Sequence, residues 1–344
     1  MLRLYKPIDH EIFALHKIFE HVVKEVWCKA CNDACDDKLE NNFKKIYNYS
    51  YKSTPKKKKT LKDEVERIYD ILKGLTSDEK KAINDAYETN NKVEQLCNGE
   101  LPVYLKDLPS VVEDDIKPLL VWCYETLLDK GKVAGDKMEY YEKLIKANGF
   151  DYCPCCGYVP FEGPESICRE AYDHYLPKSE YPFASINFLN LVPLCYKCNS
   201  DRKKAKDPIE NDRLAFYPFS TEEHNIEINS DLTLDIDLKT KQLNFADLDI
   251  KFSGDAARLE TWDWLFAISD RYKDRIKKFT HRFLRKIKRR HENFVDNDAT
   301  WTIEKTLNWF LNDYKEDYFS DEKFLKVAIL NSIKLDQGYL QVYE

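Results

Sequence analysis

Apolar residues recur every three to four positions through most of the first 150 residues. Over residues 9 to 26, Ile12, Leu15, Phe19, Val22 and Val26 share one side of a helical wheel, and Asp9 is placed to cap it, which predicts an amphipathic helix. The run Lys52 to Thr60 breaks the pattern with Pro55 and four consecutive lysines and reads as an exposed loop. Helical spacing then resumes with Leu61, Val65, Ile68 and Leu72. Thr60 with Asp63 and Thr76 with Glu79 form two capping boxes around a Gly74 suited to the position just past a helix end, the signature of an αα-hairpin. Residues 111 to 147 continue in the same style. From Phe150 to about Pro208, prolines, aromatics and cysteines replace the periodicity. Between 224 and 252 the period drops to two (Ile226, Ile228; Leu232, Leu234, Ile236, Leu238; Leu243, Phe245), with Asn229-Ser230 and Lys239-Thr240-Lys241 as turns, which predicts short antiparallel strands. Ala256 to Phe294 returns to helix, with Tyr272, Ile276, Phe279, Phe283 and Ile287 on one face. Two more helices follow near 303 to 314 and 321 to 334, the second capped by Ser320. No internal repeat is visible.

The pattern predicts an α+β protein, predominantly helical, in four parts: a helical region over 1–149, a motif-bearing core over 150–210, a short antiparallel β segment over 211–254 and a helical region over 255–344. The 344 residues, 43% hydrophobic and 33% charged, suffice for a sizeable core and are ordinary for a soluble globular protein. The first residues offer neither a secretory apolar region nor a spanning segment, so no membrane partner is expected and the cytoplasm is the expected compartment. Eleven cysteines in such a chain argue for metal ligands or core thiols over a disulfide scaffold. No phosphate loop of the G-x-x-x-x-G-K-[ST] type occurs, so ATP hydrolysis is not encoded here.

Charge changes the picture. The net charge is −7, but between Arg271 and Arg290 eleven lysines and arginines face one acid, Asp274, a local +10 that leaves −17 elsewhere. A basic stripe on an acidic body is a footprint for phosphate, and Lys277, Lys278, Arg285, Lys288 and Arg289 are its candidate contacts. The competing uses of the stripe are a solvated face or a partner for the acidic part of the same chain.

Cys153-x2-Cys156 and Cys195-x2-Cys198 are two thiolate pairs 38 residues apart. A C-x2-C turn presents two thiolates to one ion, and two such turns complete a closed, structural zinc site with a small subdomain between them. Cys155 could replace a neighbour as ligand, and Cys168 reads as core. Cys28, Cys31 and Cys35, with His21 a turn away, could hold another metal on one helix face, although core packing of small thiols is the commoner use.

Between and after the pairs stand Asp173-His174, Asn190 and Asn199. A neutral histidine can take a proton from water if a partner fixes its tautomer, and a carboxylate with an amide oxygen suits a hard divalent cation. The pattern Asp-His ending a strand, Asn-Leu opening a second and Cys-x2-Cys-Asn opening a helix, over about residues 150 to 207, resembles the HNH endonuclease family, or ββα-metal fold, in its four-cysteine zinc form. The resemblance implies His174 as general base, Asn190 as the residue orienting it, Asp173 and Asn199 as ligands of a catalytic ion, and cleavage of DNA, or secondarily RNA, to 5′-phosphate and 3′-hydroxyl ends. Such families often carry histidine where this chain has Asn199, which favours Mg²⁺ or Mn²⁺ over a transition metal.

Lys178, Arg202, Lys203, Lys204 and Lys206 lie close to these residues in sequence and are candidate grips on flanking phosphates. The Asp-His-x-Leu-Pro-Lys-Ser run is also similar to HNH nucleases of bacterial antiphage systems, which implies an ATPase or sensor partner. Two rival readings use the same residues without cleavage: a zinc-stabilised nucleic-acid-binding module and a protein-docking module.

Overall fold

The computed structural model describes residues 1–52, 58–130, 135–237 and 242–335, with the side chains of 234–237 and 242–246 outside the description. It is an α+β chain: mostly helices, with two small antiparallel sheets of two strands each among the described residues. The strands are β1 (Ala171–His174), β2 (Leu191–Leu194), β3 (Glu227–Asp237) and β4 (Gln242–Ser253). Contacts gather the chain into two compact units, Leu4–Phe150 with Glu162–Thr221, and Met1–Arg3 with Asp151–Phe161 and Glu222–Glu344. No helix among the described residues is long and apolar enough to cross a membrane.

The first of these units is the helical one, and the apolar stripes read from the sequence are its core. Ile12, Leu15, Phe19, Val22 and Val26 are all buried, along a continuous helical path of Glu11–Phe13, Ala14–His21 and Val22–Trp27. The cap is His10, whose Nδ1 accepts from the Ile12 amide at 3.2 Å, in place of the expected Asp9. Thr60 and Thr76 close both expected capping boxes, on helices Leu61–Lys73 and Ser77–Asn90. Gly74 caps the first of these with an ordinary helical φ of −78°, so its conformational freedom is not used there. The predicted loop at Lys52 to Thr60 falls largely outside the described residues. Trp27, fully buried, ties two helices together by donating from Nε1 to the Val65 carbonyl at 3.1 Å.

β1 and β2 pair antiparallel in this unit, with Asp173 opposite Val192 and His174 opposite Leu191. Helix Lys137–Asn148, capped by Asp136, presents Tyr140, Tyr141 and Leu144 to the core, and the Tyr172 hydroxyl of β1 donates to the Lys137 carbonyl at 2.8 Å.

In the other unit β3 and β4 form one long hairpin in place of several short strands, with a bulge at Thr233/Leu234. Asn229 and Ser230, expected to be a turn, are paired inside β3 with Lys251 and Ile250. The Ser230 hydroxyl is buried and reaches the Ala328 carbonyl at 3.0 Å, so a polar side chain that looks like a turn signal serves as a tether to helix Lys323–Leu335. The turn expected at Lys239-Thr240-Lys241 lies outside the described residues. The helix expected from Ala256 to Phe294 breaks at Ala267, at φ +50°, into Ala256–Phe266 and Ile268–Asn297. Its apolar face is as expected, with Tyr272, Ile276, Phe279, Phe283 and Ile287 buried. Ser320 does not cap the last helix with its side chain, since its Oγ donates to the Asp317 carbonyl at 3.1 Å.

Candidate metal centre and Asp-His site

Cys153, Cys156, Cys195 and Cys198 are buried, and their four sulfur atoms all lie within 4.8 Å of one another. A tetrahedral ion with Zn–S bonds of ~2.3 Å needs thiolates about 3.8 Å apart, so the group fits a metal such as zinc. The turns that present the thiolates are locally determined. In one, the Gly157 amide donates to the Cys153 carbonyl at 2.7 Å and Gly157 sits at φ +74°, where an added Cβ would come within 2.6 Å of Leu2. In the other, the Cys198 and Asn199 amides donate to the Cys195 carbonyl at 2.9 and 3.0 Å. Cys155 is buried but outside the group, and Cys168 is exposed, contrary to its reading as core. Cys28, Cys31 and Cys35 form no metal-holding group among the described residues. His21 spends its ring nitrogens on the Lys38 carbonyl and Glu40.

β1 carries Asp173 and His174 at its end, and adjacent strand residues point to opposite sides. Asp173 turns to the helical turn Asn199–Lys203 that follows Cys198, and His174 turns to the loop between β1 and β2. The His174 Nε2 lies 3.0 Å from the Ser185 carbonyl, which fixes Nε2 as the N–H donor and leaves Nδ1 with its lone pair. Tyr124 packs edge-on against the ring, with centroids 4.5 Å apart. Burial is the main cause that drives the His174 pKa down to about 3, and the charges of Lys178, Lys203 and Lys137 act in the same sense against the Ser185 contact, so the ring is neutral at physiological pH.

Asn190 does not touch this ring. Its Oδ1 accepts from the Leu176 amide at 2.7 Å, and its Nδ2 donates to the Leu176 carbonyl at 3.0 Å and the Ala184 carbonyl at 3.2 Å. The expected direct orientation of His174 is therefore corrected to an indirect one: Asn190 closes the loop whose next residue, Ser185, holds the imidazole. The side chain is fully buried and uses its whole amide for that purpose.

Lys203, expected on the surface as a phosphate grip, is instead 0% exposed, with its Nζ 3.1 Å from Asp173 Oδ2, 3.3 Å from Oδ1 and 2.8 Å from the His174 carbonyl. Asp173 is itself 3% exposed; burial raises its pKa and the Lys203 ammonium opposes the rise. Its Oδ2 has the ammonium nearby but no aligned hydrogen bond. Lys203 stands four residues after Asn199, a spacing that shares one side of a helical turn, but the surrounding run of lysines disguises it as solvated. The chain leaves this turn through Lys204 at φ +53°, a value rare outside glycine.

Asn199 donates from Nδ2 to the Ala171 carbonyl of β1 at 3.4 Å, which leaves its Oδ1 as a hard donor. Arg202 and Lys204 are exposed on the same turn, whereas Lys178 pairs with Glu125 at 2.5 Å. On helix Ile268–Asn297 of the other unit, Lys277, Arg285, Lys288 and Arg289 are exposed and make no ion pair among the described residues, while Lys278 pairs with Asp274 at 2.7 Å.

No family model and no solved structure matches the chain. A stretch of 110 residues is 32% identical to protein ea31 of Escherichia phage lambda, covering 32% of this chain and 33% of that protein. The chain therefore spans about a third of the length of this curated relative.

Two outcomes follow from the geometry. Metal analysis of purified protein should find one zinc per chain, and Cys195→Ser should lose it together with a large drop in melting temperature, because structural zinc contributes folding free energy; retention of zinc by Cys195→Ser would exclude that thiolate as a ligand. Asn190→Ala strands a buried amide and two buried carbonyls and should lower the free energy of urea unfolding by about 3 kcal/mol or more. A loss within about 0.5 kcal/mol, as at an ordinary surface position, would contradict the loop-closing role.

Proposed function

We propose that the chain is a metal-dependent endonuclease of the HNH type, with a zinc-stapled ββα-metal core that hydrolyses phosphodiester bonds in DNA, and secondarily in RNA. The observation that carries this reading is the grouping around the end of β1. There a neutral imidazole with a free Nδ1 and a carboxylate oxygen without a hydrogen bond, both from the end of β1, stand beside an amide on the turn after the second cysteine pair, so two of the three motif segments supply the groups.

In this reading His174 Nδ1 takes the proton from the attacking water, while the Ser185 carbonyl holds the ring's tautomer and Tyr124 its orientation. Asn190 acts as a positioning residue through the loop. Asp173 and Asn199 would hold Mg²⁺ or Mn²⁺, which when bound supplies charge neutralisation at the phosphate and at the leaving oxygen. Arg202 and Lys204, exposed beside the turn, suit flanking phosphates, and the exposed cations Lys277, Arg285, Lys288 and Arg289, which make no ion pair among the described residues, suit further backbone contacts. Hydrolysis in this mode leaves 5′-phosphate and 3′-hydroxyl ends. Since the chain carries no nucleotide-binding loop, energy-dependent control of an antiphage kind would come from an ATPase or sensor partner. The cytoplasm is the compartment consistent with that role.

The rival reading is a zinc-stabilised binding module that does not cut. The closed Lys203–Asp173 pair favours it, because a buried carboxylate neutralised by an ammonium is also a common structural device. The two are separated by incubating plasmid, linear DNA and total RNA with the zinc-loaded protein in Mg²⁺ or Mn²⁺. Wild type should cut, and His174→Ala should lose about 10²- to 10⁴-fold in rate while keeping its zinc. Equal cleavage by the variant would remove His174 as the base, and absence of cleavage by wild type in every condition would favour the binding module.

A further inference from the structure

We propose that Lys203 is a built-in counter-cation of the site, holding the Asp173 carboxylate in the metal-free protein and releasing it when a divalent ion binds, so that Lys203 sets how tightly the site takes metal. The proposal rests on the reading of Asp173 as a metal ligand and adds a regulator of that ligand. An ammonium has three donors. The His174 carbonyl takes one at 2.8 Å and Asp173 Oδ1 another at 3.3 Å, while Oδ2, at 3.1 Å, lies close without an aligned bond. The carboxylate is therefore neutralised but not saturated, and one oxygen remains for a second cation.

Two cations cannot share one water-excluded carboxylate without strong mutual repulsion. The ammonium has somewhere to go. Asp207, a second buried carboxylate four residues on in the chain, takes the Tyr181 hydroxyl at 2.6 Å and the Ile209 amide at 3.1 Å among the described residues, which leaves lone pairs to spare. A lysine's flexible four-carbon stem permits such a shift, where the planar fork of an arginine would not adapt as easily.

The test uses full-length zinc-loaded protein and Mn²⁺ alone as probe, with free Mn²⁺ followed by electron paramagnetic resonance. Lys203→Gln should bind Mn²⁺ at least about tenfold more tightly than wild type, Lys203→Arg should show no tightening, and Asp173→Asn should lose the site. If Lys203→Gln does not fold, ¹⁵N-lysine resonances of wild type decide: the water-shielded Lys203 ammonium signal should shift or vanish on addition of Mg²⁺. Equal Mn²⁺ affinity in wild type and Lys203→Gln, an unmoved signal with Mg²⁺ bound, or no Mn²⁺ bound at Asp173 in any protein would overturn the exchange. Failure of the nuclease reading looks different, because exchange would then be seen without any cleavage of nucleic acid.

Discussion

A lysine ammonium that reaches no water rests on a carboxylate that reaches almost none, and this contact between Lys203 and Asp173 organises the end of β1 while no divalent ion takes the carboxylate. Breaking such a pair from one side costs about 3–5 kcal/mol, since it strands a buried charge. The pair joins β1 to the turn that follows the second cysteine pair. The same ammonium also holds the His174 carbonyl, so the backbone of His174 and the carboxylate of its neighbour are fixed by one group. On the other side of the strand, Asn190 closes the loop that brings the Ser185 carbonyl to the imidazole. The two candidate reactive side chains are thus held independently, one by charge and one by backbone hydrogen bonds.

Much of the fold was legible because its signals are local. Apolar spacing located Val65, Ile68 and Leu72 in a helix face, and the Thr60/Asp63 and Thr76/Glu79 boxes marked helix starts, since capping is decided within four residues. Where tertiary contacts override local preference, the sequence misleads. Asn229-Ser230 has turn chemistry, yet Ser230 is paired in β3 and donates to Ala328 about a hundred residues away. The helix break at Ala267 has no proline or glycine to announce it.

At the site, residue types were legible and their partners were not. Four cysteines at regular spacing lead to a buried group of sulfurs because thiolate pairs have few other uses at that spacing. Asn190 was found, but its role was misread, since an amide that satisfies backbone groups looks the same in sequence as one that contacts a histidine. Lys203 was hidden among like charges, and nothing local distinguishes a lysine that will be buried from its solvated neighbours Arg202 and Lys204. The contact with Ser185 runs through a main-chain carbonyl and leaves no trace in residue identity.

The most direct measurement is anomalous scattering from crystals grown with Mn²⁺ and a short DNA duplex, using a His174→Ala chain to prevent turnover. The account predicts a manganese peak bonded to Asp173 and Asn199 with a phosphate of the duplex on the same ion, apart from a zinc peak among Cys153, Cys156, Cys195 and Cys198. Manganese bound elsewhere, or duplex seated away from Asp173 with the Lys203 pair still closed over an ion-free carboxylate, would contradict it.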